Sequence, residues 1–301
     1  MAINTGNFGR ALWPGINAWF GDTYNEFDTK YDKLFDSYTS RKRFEEDVYM
    51  SMFGIAPEKP EGTPVNFDTA QQGFTSRYNH VTYGLGFIIT EEMIEDDLYD
   101  VIGERNARAL ARSMRVTKET VGANVYNRAF NSSFVGGDGV SLLNTAHPNV
   151  AGGTWSNTLA TAADLSEASL EQACIDIMKW EDDRGLPVQI MPKGLVIAVD
   201  NTFNAERILK SNLRSGTADN DANALYNMGK FQDVTSSVYL TDPDAWFIRT
   251  DAPDGMKYFE RKADDFSMDN DFDTSNYKYK AVGRYSFKWS DPRGLYGSEG
   301  A

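Results

Sequence analysis

The stretch 90–130 constrains the fold of this chain most strongly, because it contains neither a proline nor a pair of adjacent glycines. Apolar residues lie on one side of it, and from Ile102 onward they recur at every seventh position. This pattern predicts one helix of about 40 residues, or roughly 60 Å at about 1.5 Å per residue. Such a helix is about threefold longer than the average globular helix. The basic residues expected on its other side are Arg105, Arg108, Arg112, Arg115 and Lys118.

Large side chains between Phe20 and Tyr38 are spaced alternately four and three positions apart, which predicts a single helical stripe. Acidic residues lie between them. An acidic polar face is unsuited to a membrane surface and favours a protein partner. The alternative, which the sequence leaves equally open, is an ordinary helix that covers its own core.

A long hairpin is predicted after this helix. Val48, Met50 and Met52 alternate with other residues, and the alternation over 81–89 indicates a strand. The segment between them, from Gly54 to Gly73, is rich in proline and has about 20 residues. Loops of that length are uncommon in compact domains and usually functional, so we expect a projecting hairpin arm.

The second half of the chain reads first as an α/β segment and then as strands. Asp164 and Glu167 fit a capping box at the start of a helix, and 195–199 fits a buried strand. Over 277–289 the odd positions are mostly aromatic, whereas the even positions include Lys278, Lys280, Arg284 and Lys288. This alternation predicts a strand with one apolar and one basic face.

Charge and cysteine content exclude several classes of protein. The chain has 44 acidic and 30 basic residues and a formal net charge of −14, which argues against a protein that coats nucleic acid or an anionic membrane. The single cysteine, Cys174, cannot form an intrachain disulfide or a Cys-x-x-Cys redox pair. No stretch approaches the roughly 18 apolar residues of a membrane span, so we expect no membrane partner.

Residues that could carry chemistry are few. Ser141, His147 and Asp138 could be combined into a triad, but the chain has no Gly-x-Ser-x-Gly motif, and a histidine that orders its loop is the favoured alternative. The acidic runs 219–223 and 269–273 begin like calcium loops but lack the later glycine and glutamate. We therefore expect no catalytic residue, no metal and no cofactor.

The distinctive features are thus architectural, and the aromatic stripe and the hairpin arm look unable to bury their apolar faces alone. That points to assembly with other copies of the chain. The residues expected at a subunit interface are Phe20, Tyr24, Phe27, Tyr31, Leu34, Tyr38, Pro57, Pro60 and Pro64.

Taken in order, several segments make the sequence resemble the major capsid proteins of tailed bacteriophages, particularly the Mu-like major head subunit group. Each segment is weak alone, and their order along most of the chain is the specific part. The segments are 83–92, 95–99, 138–139, 143–148, 152–157, 192–197, 240–242, 245–247, 277–281 and 291–294.

The resemblance implies an α+β fold of the tailed-phage major capsid type. Its expected parts are an N-terminal arm over 1–42, an extended β-hairpin loop over 43–89, a peripheral domain with a long spine helix, and an axial α/β domain over 164–232. The peripheral domain is expected to combine 90–163 with 233–301. Because the arm pattern begins almost at Met1, we expect a separate scaffolding protein rather than a fused scaffolding segment. No motif for covalent crosslinking is assigned.

The same resemblance implies a structural protein that assembles into pentamers and hexamers and forms an icosahedral shell around double-stranded DNA, without specific DNA binding. Portal, scaffolding and decoration proteins are the expected partners. The expected locations are the virion and, during assembly, the host cytoplasm. Two alternatives stay open at this point: an acidic hydrolase that uses Asp and Glu carboxylates with His147 assisting, and a phage tail or decoration module.

Overall fold

The structure, a computed structural model, describes residues 9–26, 28–95, 99–213, 221–231, 233–271 and 276–301. Its helices are α1 (Gly9–Glu26), α2 (Tyr31–Leu34), α3 (Glu91–Glu95), α4 (Tyr99–Asn127), α5 (Glu167–Met178), α6 (Thr202–Lys210) and α7 (Ala224–Met228), with 3-10 turns at Val199–Asn201 and Pro292–Gly294. Its strands are β1 (Asp36–Thr39), β2 (Phe44–Met50), β3 (Gln72–Asn79), β4 (Val81–Ile89), β5 (His147–Pro148), β6 (Thr154–Trp155), β7 (Pro192–Ala198), β8 (Asp233–Ser237), β9 (Trp246–Thr250), β10 (Met256–Asn270), β11 (Tyr277–Trp289) and β12 (Leu295–Ser298). The fold is α+β, as expected.

One sheet, which we call the β10 sheet, has the strand order β1-β10-β11-β4. β11 pairs antiparallel with β10 and β4, and β1 joins β10 in parallel. The alternation predicted for the last long strand is confirmed in β11. Tyr277, Tyr279 and Tyr285 are buried, whereas Lys278 and Lys280 are exposed. The aromatic face packs toward α4, which contacts β4 and β11.

The long helix is confirmed as α4, which spans 29 residues and about 44 Å at about 1.5 Å per residue. Residues 96–98, between α3 and α4, lie outside the described residues, and the helix ends before Phe130. The predicted buried face is wrong, because Ala109 and Val116 are exposed. At about 100° per residue these two positions lie on the side of the helix opposite the buried Ala107 and Met114. The buried side chains of α4 include Ala107, Leu110, Ala111, Met114, Lys118, Glu119, Ala123 and Tyr126.

The aromatic segment near the N-terminus does not form one helix. α1 ends at Glu26, α2 is a separate short turn, and Tyr38 lies in β1 opposite Phe259 of β10. Spacing alone cannot reveal this break. The chain leaves the helical conformation after Leu34 because Phe35 is extended, with φ −133° and ψ 150°, and pairing with β10 then takes over.

The predicted hairpin exists, but its second strand was misassigned. β2 pairs antiparallel with β3, so that Glu46 lies opposite Arg77, and the segment 51–71 joins them without helix or strand. The strand predicted over 81–89 is β4, which belongs to the β10 sheet instead. The polar composition of β3 gave no apolar alternation that could identify it.

The other four-stranded sheet, which we call the β7 sheet, has the order β12-β9-β7-β8. β7 is almost entirely buried, pairs in parallel with β8 and antiparallel with β9, and is covered by α5. The resemblance assigned 233–301 to the peripheral domain. Three strands from this range, β8, β9 and β12, instead form one sheet with β7, which lies in the range 164–232. A buried central strand needs partners on both edges, and 164–232 supplies none.

The start of α5 also differs from the prediction. Its capping box consists of Ser166 and Ser169 rather than of Asp164 and Glu167. The Ser166 backbone N–H donates to the Ser169 hydroxyl at 2.9 Å, and the Ser169 backbone N–H donates to the Ser166 hydroxyl at 3.2 Å. The helix therefore begins two residues later than the acidic pattern indicated.

Substitution of Gly86 tests how closely the backbone of β4 approaches that of β11. A Cβ atom on Gly86 would lie 2.5 Å from the Tyr279 carbonyl oxygen, whereas one on Gly84 would meet the end of the Val282 side chain at 3.3 Å. We expect Gly86→Ala to lower the free energy of unfolding by about 1–3 kcal/mol, because backbone must move. Gly84→Ala is the matched control and should cost less. Equal urea midpoints for the two variants would contradict this close approach.

Candidate assembly interface

A buried lysine connects the N-terminal segment to the body of the protein. The side chain of Lys118 on α4 is 2% exposed, and its Nζ lies 3.1 Å from Asp264 Oδ2 and 3.3 Å from Glu260 Oε1, both on β10. Asp264 is 1% exposed. The Lys118 ammonium also donates to the hydroxyl of Tyr24 on α1 at 3.3 Å. One cation therefore joins α1, α4 and β10.

Aromatic rings surround this ion pair. Lys118 Nζ lies 5.1 Å from the ring centroid of Tyr285 and 5.8 Å and 5.9 Å from those of Tyr31 and Tyr258, within the range of cation–π attraction. The Tyr24 hydroxyl donates to Asp264. Burial, followed by the hydrogen bond to Asp264, raises the pKa of Tyr24.

The next residue, Glu119, fixes α2. Its carboxylate accepts the backbone N–H groups of Lys30 at 2.8 Å and Tyr31 at 3.1 Å. These are donors that the start of a helix leaves without internal partners. Burial raises the pKa of Glu119, and the two backbone hydrogen bonds oppose that shift. Lys118 and Glu119 thus hold α1 and α2 from one turn of α4.

Three of the six predicted interface residues of the aromatic segment are buried inside this same chain. Phe20 stacks on Phe266 at 4.6 Å, Tyr31 packs against Tyr258, and Leu34 is fully buried. For these three residues the structure agrees with the alternative interpretation, in which the segment covers the core of its own chain. Tyr24 is half-buried at the Lys118 site. Phe27 lies outside the described residues.

The remaining predicted interface residues are accessible. Tyr38 is exposed in β1, at the edge of the β10 sheet. Pro57, Pro60 and Pro64 are exposed in the segment 51–71, which we call the hairpin loop. An interface role for these four residues stays a prediction.

The base of the hairpin loop is tied to the loop that follows α5. Asp68 Oδ2 accepts the backbone N–H of Gly54 at 2.8 Å and Arg184 Nη1 at 2.5 Å, and Arg184 Nη2 donates to the Thr69 carbonyl at 2.6 Å. The hydrogen bond from Arg184, then those from the backbone, lower the pKa of Asp68 to about 2. These contacts join the base of the loop to the loop after α5, whereas the tip is exposed.

The Ser141–His147–Asp138 triad is not formed. His147 Nδ1 lies 2.7 Å from Asp138 Oδ2, but Nε2 lies 3.0 Å from Asn157 Oδ1, and the Ser141 hydroxyl donates to the Leu143 carbonyl. The histidine is 1% exposed. His147 therefore orders its loop, as the alternative favoured by the sequence predicts.

The acidic runs lie partly outside the described residues, since 214–220 and 272–275 are not described. Within the described part of the chain, no group of three or more His, Cys, Asp or Glu side chains could hold a metal ion. None of the helices described there is long and apolar enough to cross a membrane.

Sequence reasoning missed the Lys118 site because it placed Lys118 on the outer, basic side of the helix. The available signal was the helical period: Lys118 follows the buried Met114 by four positions and precedes Gly122, which packs near Phe287, by four. Pairing with Asp264 depends on the register of β10 against α4, which no local pattern reports.

Comparison with solved structures identifies the fold. The chain matches a subunit of the bacteriophage JBD30 capsid with a TM-score of 0.55 at 13% identity, over 71% of this chain and 92% of that chain. It matches the JBD30 procapsid with a TM-score of 0.53 at 13% identity, over 98% and 76%. A virus-like particle from Pyrococcus furiosus matches with a TM-score of 0.51 at 8% identity, over 94% and 97%. The fold is therefore that of shell-forming capsid subunits.

The family follows from the sequence itself. The family model described as phage capsid protein matches residues 73–298, which is most of the chain. The chain belongs to this family of structural proteins, and its place is the capsid of a virion. No curated protein sequence matches it. The narrower assignment to the Mu-like group stays a prediction.

The Lys118–Asp264 pair yields a stability test. Lys118→Met leaves a buried carboxylate without its principal cation, so we expect the free energy of unfolding to fall by about 3–5 kcal/mol. Lys118→Met combined with Asp264→Leu should lose less, because no buried charge is left unpaired there. Arg112→Met, an exposed cation on the same helix, is the control. Urea unfolding measures all three, and a double variant no more stable than Lys118→Met would refute the pairing.

Proposed function

We propose that this chain is the major subunit of an icosahedral phage head, which assembles as pentamers and hexamers around double-stranded DNA. The observation that carries the proposal is the match of the phage capsid family over 73–298. The long helix α4 and the hairpin loop agree with the spine helix and the extended loop that such a subunit uses.

The parts of the subunit are proposed to act as follows. The segment 1–42 is the N-terminal arm, 43–89 the extended loop, 90–163 with 233–301 the peripheral domain, and 164–232 the axial domain. Since β8, β9 and β12 complete the β7 sheet, the axial part exchanges strands with the rest of the chain instead of folding apart from it.

Portal, scaffolding and decoration proteins are the proposed partners, and assembly is proposed to take place in the host cytoplasm. The net charge of −14 supports a wall that does not hold the packaged DNA, because phosphates are repelled by an acidic surface. A strongly basic inner surface in an assembled shell would contradict this part of the proposal.

The hydrolase alternative requires His147 to assist catalysis. The structure argues against that role, because His147 is buried and both of its ring nitrogens contact groups inside the protein. The tail and decoration alternative differs in the product of assembly. A tail module would form tubes, and a decoration module would form trimers without a closed shell.

Purified protein should form rings or closed shells when examined by negative-stain electron microscopy, with pentamers and hexamers in native mass spectrometry. Replacing 55–67 by a short Gly-Ser linker should abolish shells and leave the thermal unfolding midpoint nearly unchanged, because those residues are exposed. Lys210→Ala, an exposed change on α6, serves as the control. A strictly monomeric protein under all conditions, or tubes alone, would refute the proposal.

A further inference from the structure

Two short connections carry the hairpin away from the β10 sheet, and we call them the neck of the hairpin. They are residues 40–43, between β1 and β2, and His80, between β3 and β4. His80 is 7% exposed, and its Nε2 lies 3.2 Å from the Oγ of Ser40. Its Nδ1 lies 3.0 Å from the Oγ of Ser286 on β11. One side chain therefore joins both connections of the neck to the sheet.

The partners of Ser40 determine which ring nitrogen of His80 carries the proton. The Ser40 hydroxyl donates its single proton to Glu45 Oε1 at 2.8 Å, and its oxygen accepts the backbone N–H of Lys42 at 3.1 Å. Toward His80 this hydroxyl can therefore only accept, so Nε2 is the protonated nitrogen and Nδ1 accepts from the Ser286 hydroxyl. Both nitrogens thus contact hydroxyls, which suit a neutral ring.

The charged groups that face the ring mostly disfavour a second proton on it. Arg284 of β11 donates from Nε to the His80 carbonyl at 3.3 Å, and Arg261 of β10 acts in the same direction. Glu45 of β2 is the opposing carboxylate, and Lys42 pairs with it at 2.9 Å. Burial, followed by the charge of Arg284, lowers the pKa of His80, and Glu45 opposes that shift. At neutral pH the ring is therefore uncharged.

Acid shifts this balance in one direction. An exposed histidine has a pKa of about 6.5, so a neck that exposes His80 takes up a proton at a higher pH than the closed neck. Lowering the pH below about 6.5 therefore favours the open neck. Protonation also turns Nδ1 into a donor, so the Ser286 hydroxyl has to rotate in order to accept from it.

We propose that His80 is an acid-sensitive clamp: as a neutral ring it holds the neck of the hairpin to the β10 sheet, and as a protonated ring it lets the neck open. The clamp lies within a single copy of the chain and does not depend on assembly. The state of one buried ring thus decides how firmly the hairpin is held where it leaves the sheet.

Contacts further along the hairpin confine the opening to the neck. Asp47 of β2 accepts from Lys257 Nζ at 2.6 Å and from the Ser290 hydroxyl at 2.5 Å, and the Tyr78 hydroxyl lies 2.5 Å from Ser290 Oγ. None of these four groups is a histidine, so we expect their contacts to persist between pH 5.5 and pH 7.5. The expected change is a local opening of 40–45 and 79–81, with the rest of the hairpin still attached.

Hydrogen exchange measures this opening on the purified chain. The protection factors of the amides in 40–45 and 79–81 should fall several-fold between pH 7.5 and pH 5.5. The fall should not exceed about tenfold, because each pH unit below about 6.5 changes the equilibrium by no more than that factor. The amides of β9, in the β7 sheet, are the internal reference and should keep their protection.

Two substitutions separate His80 from the other groups that titrate in acid. His80→Gln stays neutral, and its amide can donate to Ser40 and accept from Ser286, so the neck should keep its protection at pH 5.5. His147→Gln removes the only other histidine of the chain and is the matched control. It should respond to acid as the wild type does.

Nitrogen NMR of the wild-type chain gives a readout that needs no variant to fold. At pH 7.5 one histidine ring should lack a proton on Nδ1. That ring is His80, because Nδ1 of His147 faces the Asp138 carboxylate at 2.7 Å. It should take up its second proton only below pH 6.5, over the range in which the neck loses protection.

Equal protection of the wild-type neck at the two pH values, or a proton on Nδ1 of His80 at pH 7.5, would overturn the inference. An acid response that persists in His80→Gln would assign the effect to another group, such as the Glu119 carboxyl, whose pKa burial raises, and would also overturn it. The proposed function is tested separately, since the formation of shells does not depend on what the neck does in acid.

Discussion

The position of the Lys118 ammonium determines how the N-terminal segment, the long helix and the β10 sheet fit together. A lysine at 2% exposure costs several kcal/mol to desolvate, and only well-placed partners offset that cost. Asp264 and Tyr24 supply them from β10 and α1, and the neighbouring Glu119 accepts the N–H groups at the start of α2. The pair therefore joins this turn of α4 to β10 at one defined position. Three segments distant in sequence thereby meet at one turn of helix.

A second buried polar network joins other segments that are distant in sequence. His147 bridges Asp138 and Asn157, and the Asn157 amide donates to the carbonyls of Leu142, Pro292 and Leu295. The last of these carbonyls belongs to β12, the edge strand of the β7 sheet. The network therefore fixes the loops after α4 against that sheet. An imidazole enclosed in this way has no access to a substrate, so its geometry agrees with a structural role.

Periodicity predicted the elements whose own residues determine them. β11 alternates tyrosines with lysines, and α4 has no proline, so both could be recognised locally. The misassigned elements depend on distant partners. Tyr38 is extended because β10 is beside it, and β3 is recognisable only through its pairing with β2. The buried face of α4 was wrong because the apolar repeat lies opposite the face that packs on the protein, where the buried residues include Lys118 and Glu119. Of the residues predicted at an interface, Pro57, Pro60 and Pro64 are exposed, whereas Phe20 and Leu34 are internal. Spacing cannot distinguish a core within a chain from an interface between chains.

Net charge and apolar surface act in opposite directions on assembly. A charge of −14 repels other copies, and this repulsion is screened beyond roughly 8 Å at physiological ionic strength. Short-range contacts can therefore dominate once copies touch, provided that they bury apolar area and bring opposite charges together locally. Tyr31, Tyr258 and Tyr285 at the Lys118 site cannot contribute, because the fold already buries them. The area must come from side chains left exposed, such as Phe67, which is 95% exposed on a loop whose base contacts Arg184. Contacts at the base reduce the conformational entropy that the loop loses on docking. An acidic subunit can in this way stay separate at low concentration and still associate through a few defined contacts.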